Sequence, residues 1–497
     1  MLLRGTFLLL IGQGLFLACG YGISVVLARW LGPQEYGVYG IVYSLLMVCE
    51  LCVVAGIPNA LQRYVGEDPG RAGALHRVLL RWQLGYTVVA WGAALAAAPL
   101  LAGFFNDARL VPLLQIALFD VLFFSFYWYY AGMLIGQKHF GRQTLVAGTY
   151  SVSKFLFTAG LLWAGFGVVG ALVGNILGSL CGLVLGWWWT RLPHDTAAVD
   201  RRGLLHFIVP NILYSIGVNL FFYIDLWVVK YHLSGTVVGF YTAASTIARI
   251  PYSFAIALTG ALLPGLSHAV ARRQRLESER LIRQALRLTL LAVLPLLALV
   301  SSSADALAVL FFGAAYAGAG EILRLLMVGL SLYAVFMVIN TMAMAGGGMK
   351  VCTLIVFVLL PVDLAFNLFG VPRWGATGAA LATTATLLLG VLANTYYVTR
   401  LFGIALHAAP LLRAGAAAVL VFALSGCFPT TSPWELLVKF AALLAGYVVL
   451  LRLFGEIDRE DMMKLRAMAA ARFARSKPQP EAARVAVVSS PAAKGGA

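Results

Sequence analysis

Charge is scarce in this chain. Only 11% of its 497 residues are Asp, Glu, Lys or Arg, while 61% are hydrophobic; soluble proteins carry about a quarter charged residues, so an ordinary soluble fold is excluded. Long polar connectors are also missing. No stretch between apolar runs exceeds about 25 residues, which leaves no room for an extramembrane catalytic domain. A phosphate loop is absent as well: the triple glycine at 346–348 is followed by Met349 and Lys350 instead of Gly-Lys-Ser/Thr, and it follows an apolar helix instead of a strand. Without a nucleotide site, transport must draw on a gradient or run downhill. Cysteine is sparse and scattered, six residues all within apolar segments, where a thiol packs as a small hydrophobe. The Cys49-x-x-Cys52 pair has no second Cys or His pair at metal-site spacing, so no disulfide framework or metal site is expected.

What is present is apolar runs of about 20 residues, the length that crosses a bilayer as a helix. They predict an all-α integral membrane protein with about 14 transmembrane helices. Six fall in an N-terminal lobe over 1–190, and a cytoplasmic linker follows over 191–205. Six more form a C-terminal lobe over 206–400, helices 13 and 14 occupy 401–455, and a tail over 456–497 is expected to be disordered from about 476. Both sixes open with paired spans whose short turn ends in Gly-x-Tyr, at Gly37–Tyr39 and Gly239–Tyr241. Parallel repeats of six helices imply two lobes around a central cavity. The net charge of +16 lies in connectors and tail, which suits a membrane surface and not nucleic acid. With the N-terminus inside, inner connectors hold 28 of the 36 Lys and Arg and outer ones hold five, which predicts that both termini are cytoplasmic.

A charge near the bilayer midplane costs at least about 2.5 kcal/mol and needs a partner or a wet cavity. Glu50, Asp120, Lys154, Arg249 and Asp363 qualify by position, with Asp225 and Arg324 nearer span ends. One reading has Arg249 and Lys154 facing the cavity to attract an anionic head group, Arg as a bidentate phosphate partner and Lys as a point charge. The other pairs Lys154 with Glu50 or Asp120, and Arg249 with Asp225 or Asp363. For Glu50, Asp120, Asp225 and Asp363 the choice lies between charge pairing and a proton or sodium coupling site. The aromatic run at 126–130 is read as packing ahead of sugar stacking, and Pro210, Pro251, Pro264 and Pro361 as kinks.

The stretch LARWLGPQEYGVYGIVYSLLMVCELCVVAGIPNALQRYV at 27–65 resembles the opening of the polysaccharide biosynthesis (oligosaccharide-lipid) flippases of the multidrug/oligosaccharidyl-lipid/polysaccharide (MOP) exporter superfamily. Tyr223-Ile224-Asp225, then Val238-Gly239-Phe240-Tyr241, Leu263-Pro264 and the WGATGAA segment at 374–380 extend the resemblance. The resemblance implies a flippase, not an enzyme, that carries polyprenyl-pyrophosphate-linked oligosaccharide from the inner to the outer leaflet of a bacterial inner membrane by alternating access, with no cofactor and with other polysaccharide-assembly proteins as further partners. In related lipid II flippases, arginines on helices 1, 2 and 8 meet the pyrophosphate; Arg29, Arg63 and Arg249 lie on those helices here, although Arg29 and Arg63 stand at span ends. The alternatives are a cation-coupled multidrug or small-molecule antiporter and, further off, an integral-membrane polymerase or glycosyltransferase.

Overall fold

The computed structural model describes residues 2–190, 199–404, 409–426, 428 and 432–456, with side chains from residue 12 onward. Most of the expected linker, Cys427 and the expected disordered tail lie outside the described residues. The first lobe comprises α1 (Leu2–Val54), α2 (Ile57–Glu67), α3 (Ala72–Phe104), α4 (Leu110–Gly136), α5 (Phe140–Trp163) and α6 (Gly167–Trp189). The second comprises α7 (Arg201–Leu220), α8 (Ile224–His232), α9 (Gly235–Ala248), α10 (Ile250–Ala271), α11 (Arg275–Ser302), α12 (Ala304–Phe312), α13 (Ala319–Ala345) and α14 (Met349–Phe402). Two accessory helices follow, α15 (Ala409–Ser425) and α16 (Pro433–Leu453). α7 starts inside the stretch assigned to the linker because Asp200 caps it, its carboxylate accepting from the Arg202 and Gly203 amides.

These helices make fourteen crossings. α1 and α14 each cross twice, reversing at Gly32 (φ 72°) and Gly375 (φ 61°), backbone values that only glycine adopts without a Cβ clash. Pro33 then starts the second arm of α1, where its missing N–H costs nothing. Conversely, α7 and α8 form one crossing interrupted at 221–223, and α9 and α10 form one interrupted at Arg249. The turns α2–α3, α4–α5, α10–α11 and α13–α14 share one face with the N-terminus; they carry most of the connector arginines, and we call this the basic face.

The lobes meet unevenly. Toward the opposite face, α9 packs along the second arm of α1, and Tyr36, Val38, Ile41 and Val42 share one core with Val238, Tyr241 and Ala244. Toward the basic face, α10 packs chiefly on α13 and α11. There Leu15 and Phe16 on the first arm of α1 are exposed, as are Phe254, Ile256 and Leu263 on α10. α7 supplies a further contact between the lobes: the Asn211 side-chain amide donates to the Ala55 carbonyl, and Arg63 lies over the Phe207 ring at 4.9 Å.

Candidate substrate site between the lobes

Two broken helices create the first half of the site. Pro251 has no N–H and its ring crowds the carbonyl of residue 247, so the helix cannot run through residues 248–251. α9 stops and α10 starts at Arg249. The neighbouring crossing breaks at 221–223, which frees the Phe222 carbonyl from helical bonding. Arg249 Nη2 donates to that carbonyl at 3.0 Å, and its guanidinium stacks over Phe222 (4.8 Å) and Tyr223 (5.1 Å). No carboxylate lies within ion-pair distance of Arg249 among the described residues. Asp225 is committed elsewhere: it accepts from Tyr241 Oη at 2.5 Å, from the Leu226 amide at 2.6 Å and from Thr383 Oγ1 at 3.4 Å. Arg249 itself is half-buried.

Lys154 on α5 forms the second half. Its ammonium donates to Tyr43 Oη (3.3 Å) and Tyr150 Oη (3.4 Å) and sits over both rings at 5.1 and 5.6 Å. It too has no carboxylate within ion-pair distance among the described residues. Glu50 and Asp120 are buried nearby at 1% and 0% exposure; Asp120 accepts from the Asn175 amide, while both Glu50 oxygens have no partner to donate to them. Tyr43 is hydrogen-bonded to Lys154, and Arg249 reaches the same turn of α1 indirectly, through Tyr223 stacked on Trp227 at 6.5 Å. Trp227 Nε1 donates to Ser44 Oγ at 2.8 Å, so one turn of α1 touches α5 and α8 together. In the second lobe, Asp363 is 0% exposed with both oxygens unpartnered.

The other two arginines stand at the ends of the passage. Arg29 donates to the carbonyls of Phe311 (2.8 Å) and Leu310 (2.5 Å), capping the C-terminus of α12 across the lobe boundary. Arg63 pairs with Glu67 at 3.1 Å on the basic face. The structure therefore links Arg249 and Lys154 to adjacent residues of one turn of α1, Ser44 through Trp227 and Tyr43 directly, and gives Arg29 and Arg63 separate partners. Arg29 belongs to a lock on the opposite face. Lys230 of the second lobe pairs with Asp107 of the first at 2.9 Å, and Arg109 bridges Asp107 (3.1 Å) and Glu35 (3.5 Å). Burial raises the Asp107 pKa, but hydrogen bonds and charges from Arg109 and Lys230 outweigh it and hold the carboxyl down at about 2. Tyr316 Oη adds a bond to the Ala28 carbonyl at 2.9 Å.

Sequence reasoning by charge overlooked the tyrosines. Tyr36, Tyr39 and Tyr43 stack in sequence, at 6.2 and 5.4 Å between ring centroids. Their spacing of three and then four residues places all three on one helix face, a signal available in the sequence. The run at 126–130 serves packing: Tyr127 stacks on Tyr150 at 4.6 Å, and Tyr129 Oη meets His76 Nδ1 at 2.9 Å.

Comparison with known proteins agrees with this geometry. A solved lipid II flippase MurJ in an inward closed conformation has this fold (TM-score 0.74, 15% identity, 91% of this chain and 98% of that one). So does an inward-facing multidrug resistance MATE family transporter of the MOP superfamily (TM-score 0.68, 17% identity, 79% and 96%). The probable low-salt glycan biosynthesis flippase Agl15 of Haloferax volcanii is 20% identical over 234 residues, 46% of this chain. The matched part spans about half of that relative, 49% of its length. A family model described as polysaccharide biosynthesis protein matches residues 26–321. That match covers more than half of the chain, and the chain, a multi-pass membrane protein by its helices and by the fold it shares with these structures, therefore belongs to the polysaccharide biosynthesis protein family.

Proposed function

We propose that the protein flips polyprenyl-pyrophosphate-linked oligosaccharide across a bacterial inner membrane, with the basic face cytoplasmic and both termini on that side. The observation that carries this reading is the pair of interior cations, Arg249 and Lys154, neither within ion-pair distance of a carboxylate among the described residues, with Lys154 bonded to Tyr43 and Arg249 linked to the neighbouring Ser44 through Tyr223 and Trp227. A cation at membrane depth held only by neutral groups keeps its charge for an anion, and a pyrophosphate head group supplies one. The lobes are locked at the opposite face and splayed between α1 and α10 at the basic face, the arrangement that admits a head group from the cytoplasmic leaflet while its tail stays in lipid. Release then requires the lock at Asp107, Lys230 and Arg29 to open. The buried carboxyl pairs Glu50 with Asp120 and Asp363 with Asp225 support coupling to a proton or sodium gradient, because neighbouring buried carboxyls do not all ionise without a cation.

The test is complementation of a deletion strain. Arg249→Ala, inserted at the wild-type level, is expected to abolish surface polysaccharide and to leave the lipid-linked oligosaccharide in the inner leaflet. Arg249→Lys restores the charge without the fork and is expected to restore export in part. Normal polymer with Arg249→Ala would refute the role assigned to this residue.

A further inference from the structure

Among the described residues the accessory helices α15 and α16 are ion-paired to the rest of the fold at one end only, while Leu436 near the start of α16 packs into the main core. At the basic face, Glu456 (4% side-chain exposure) accepts from Arg287 Nε at 2.9 Å and faces Arg413 at 3.6 Å, tying both helices to α11. In mid-membrane, Ala298 and Leu299 of α11 pack with Ala417, Val421, Leu443 and Tyr447. At the opposite face the helices part around a cavity of about 710 Å³ between the start of α12, the end of α15 and the start of α16.

Three side chains lining that cavity have no partner among the described residues. Lys439 lines it at 8% exposure, with no hydrogen-bond acceptor and no carboxylate in ion-pair range among the described residues. The hydroxyls of Ser303 and Ser425 are buried and unbonded. Ser303 also stands at the N-cap of α12 without a side-chain cap bond, and the first turn of that nine-residue helix, the positive end of its dipole, borders the cavity at Asp305 and Ala306. α16, in contrast, is closed by its own Ser432–Glu435 capping box. The acid of the α12 turn, Asp305, is exposed and held by Arg324 at 2.8 Å. Beneath these donors, Val309, Leu310 and Leu436 form an apolar wall. An ammonium and two hydroxyls without partners among the described residues, beside a helix N-terminus and an apolar wall, make a receptor for an amphiphile with an anionic head.

We propose that this cavity binds the phosphate ester of a lipid head group in the leaflet at the opposite face, its chain lying along the apolar wall. The site is separate from the passage between the lobes and does not depend on what is flipped. A lipid held there occupies the gap that protein side chains leave open between α12, α15 and α16.

Native mass spectrometry of the delipidated full-length protein tests this, with dioleoylphosphatidylglycerol, dioleoylglycerol and inorganic phosphate as probes. The wild type is expected to retain a phosphatidylglycerol adduct that dioleoylglycerol does not form. Lys439→Met is expected to weaken that adduct about tenfold, the loss of one charge-assisted contact, while Lys439→Arg keeps it. Displacement of the lipid by millimolar phosphate would support the phosphate chemistry with the free ion as a second source; no displacement would support the lipid alone. Adducts equal in wild type and Lys439→Met, or equal for dioleoylglycerol and phosphatidylglycerol, would overturn the proposal. Should Lys439→Met reduce the folded yield, the Ser303→Ala/Ser425→Ala double variant is read against the same two outcomes.

Discussion

Gly239→Ala is expected to unlatch the lobes at the opposite face. A Cβ at Gly239 would stand 1.9 Å from the Pro33 carbonyl oxygen, and one at Gly37 would stand 2.4 Å from the Gly235 carbonyl oxygen, where real contacts do not fall below 3.0 Å. The obstacle is backbone, which cannot rotate away, so α9 must retreat from α1 by about 1 Å. A gap of that size forfeits a quarter to a half of the dispersion energy of each contact along the seam, and overpacking of this kind costs about 1–3 kcal/mol. Applied to a two-state equilibrium between lobe arrangements, that energy changes their ratio by about 5- to 150-fold. Spin labels on Cys introduced at Ala164 and Ser234, in turns on the opposite face of the two lobes and in a background without native cysteine, report the separation by electron–electron resonance. The wild type is expected to give one short distance, and Gly239→Ala a second, longer one together with reduced transport. A folded Gly239→Ala protein with the wild-type distance distribution and wild-type transport would refute the claim that this close approach holds the state seen.

The acid lock gives a pH prediction with a definite sign. Because the folded Asp107 carboxyl is held at about 2, its contribution is complete above the ordinary carboxylate range and is lost as pH falls through that range toward 2; the spin-label distance should therefore hold from pH 5 to 8 and lengthen only below about 4. Asp107→Asn is expected to shift the lobe equilibrium about fivefold, the worth of one partly exposed ion pair near 1 kcal/mol, and an unchanged distance distribution would count against the lock. Glu50→Gln removes the titrating partner of Asp120 and is expected to cut gradient-driven flipping about tenfold, within the usual range of coupling free energies, while sparing downhill exchange; intact gradient dependence would remove Glu50 from the coupling. Pro251→Ala restores an N–H to the break at Arg249, with a helix gain of up to about 3 kcal/mol, and is expected to raise the thermal midpoint while lowering transport.

Much of this architecture is legible in the sequence because hydrocarbon leaves a chain few choices. Spans must be helices, and Gly32-Pro33 and Gly375 mark reversals that only glycine makes easily. The paired Gly-x-Tyr motifs identified the repeats, and the structure adds that Gly37 and Gly239 are each other's neighbours across the lobe boundary. What stayed hidden is the commitment of each charge. Asp225 looked like a partner for Arg249, yet Tyr241, sixteen residues on, and Thr383, from a distant helix, take its oxygens. No spacing rule reports a bond of that kind, because it depends on how α8 sits against α14. Arg29 looked like a head-group ligand on helix order alone, and it caps a helix 282 residues away. The sequence also hides that the crossings break at 221–223 and at Arg249 in register.

That register explains why a cation can be stationed in the membrane without a counter-ion. A broken crossing exposes carbonyls that hydrocarbon cannot satisfy, and Arg249 answers one of them, the Phe222 carbonyl, with a single nitrogen. One donor of the five in the guanidinium is thereby spent on holding the arginine in place. Aromatic faces from Phe222 and Tyr223 screen its flank, an attraction that stabilises positive charge without neutralising it. A carboxylate in the same position would have cancelled the charge and left nothing to attract an anion. Lys154 is treated in the same way by two tyrosine hydroxyls and their rings. Both lobes therefore present a cation held by neutral groups, and opening the Gly37–Gly239 seam would carry the two apart with their lobes. On the proposed function, an anion bridging them would favour the closed seam, and its departure would accompany the separation of the cations.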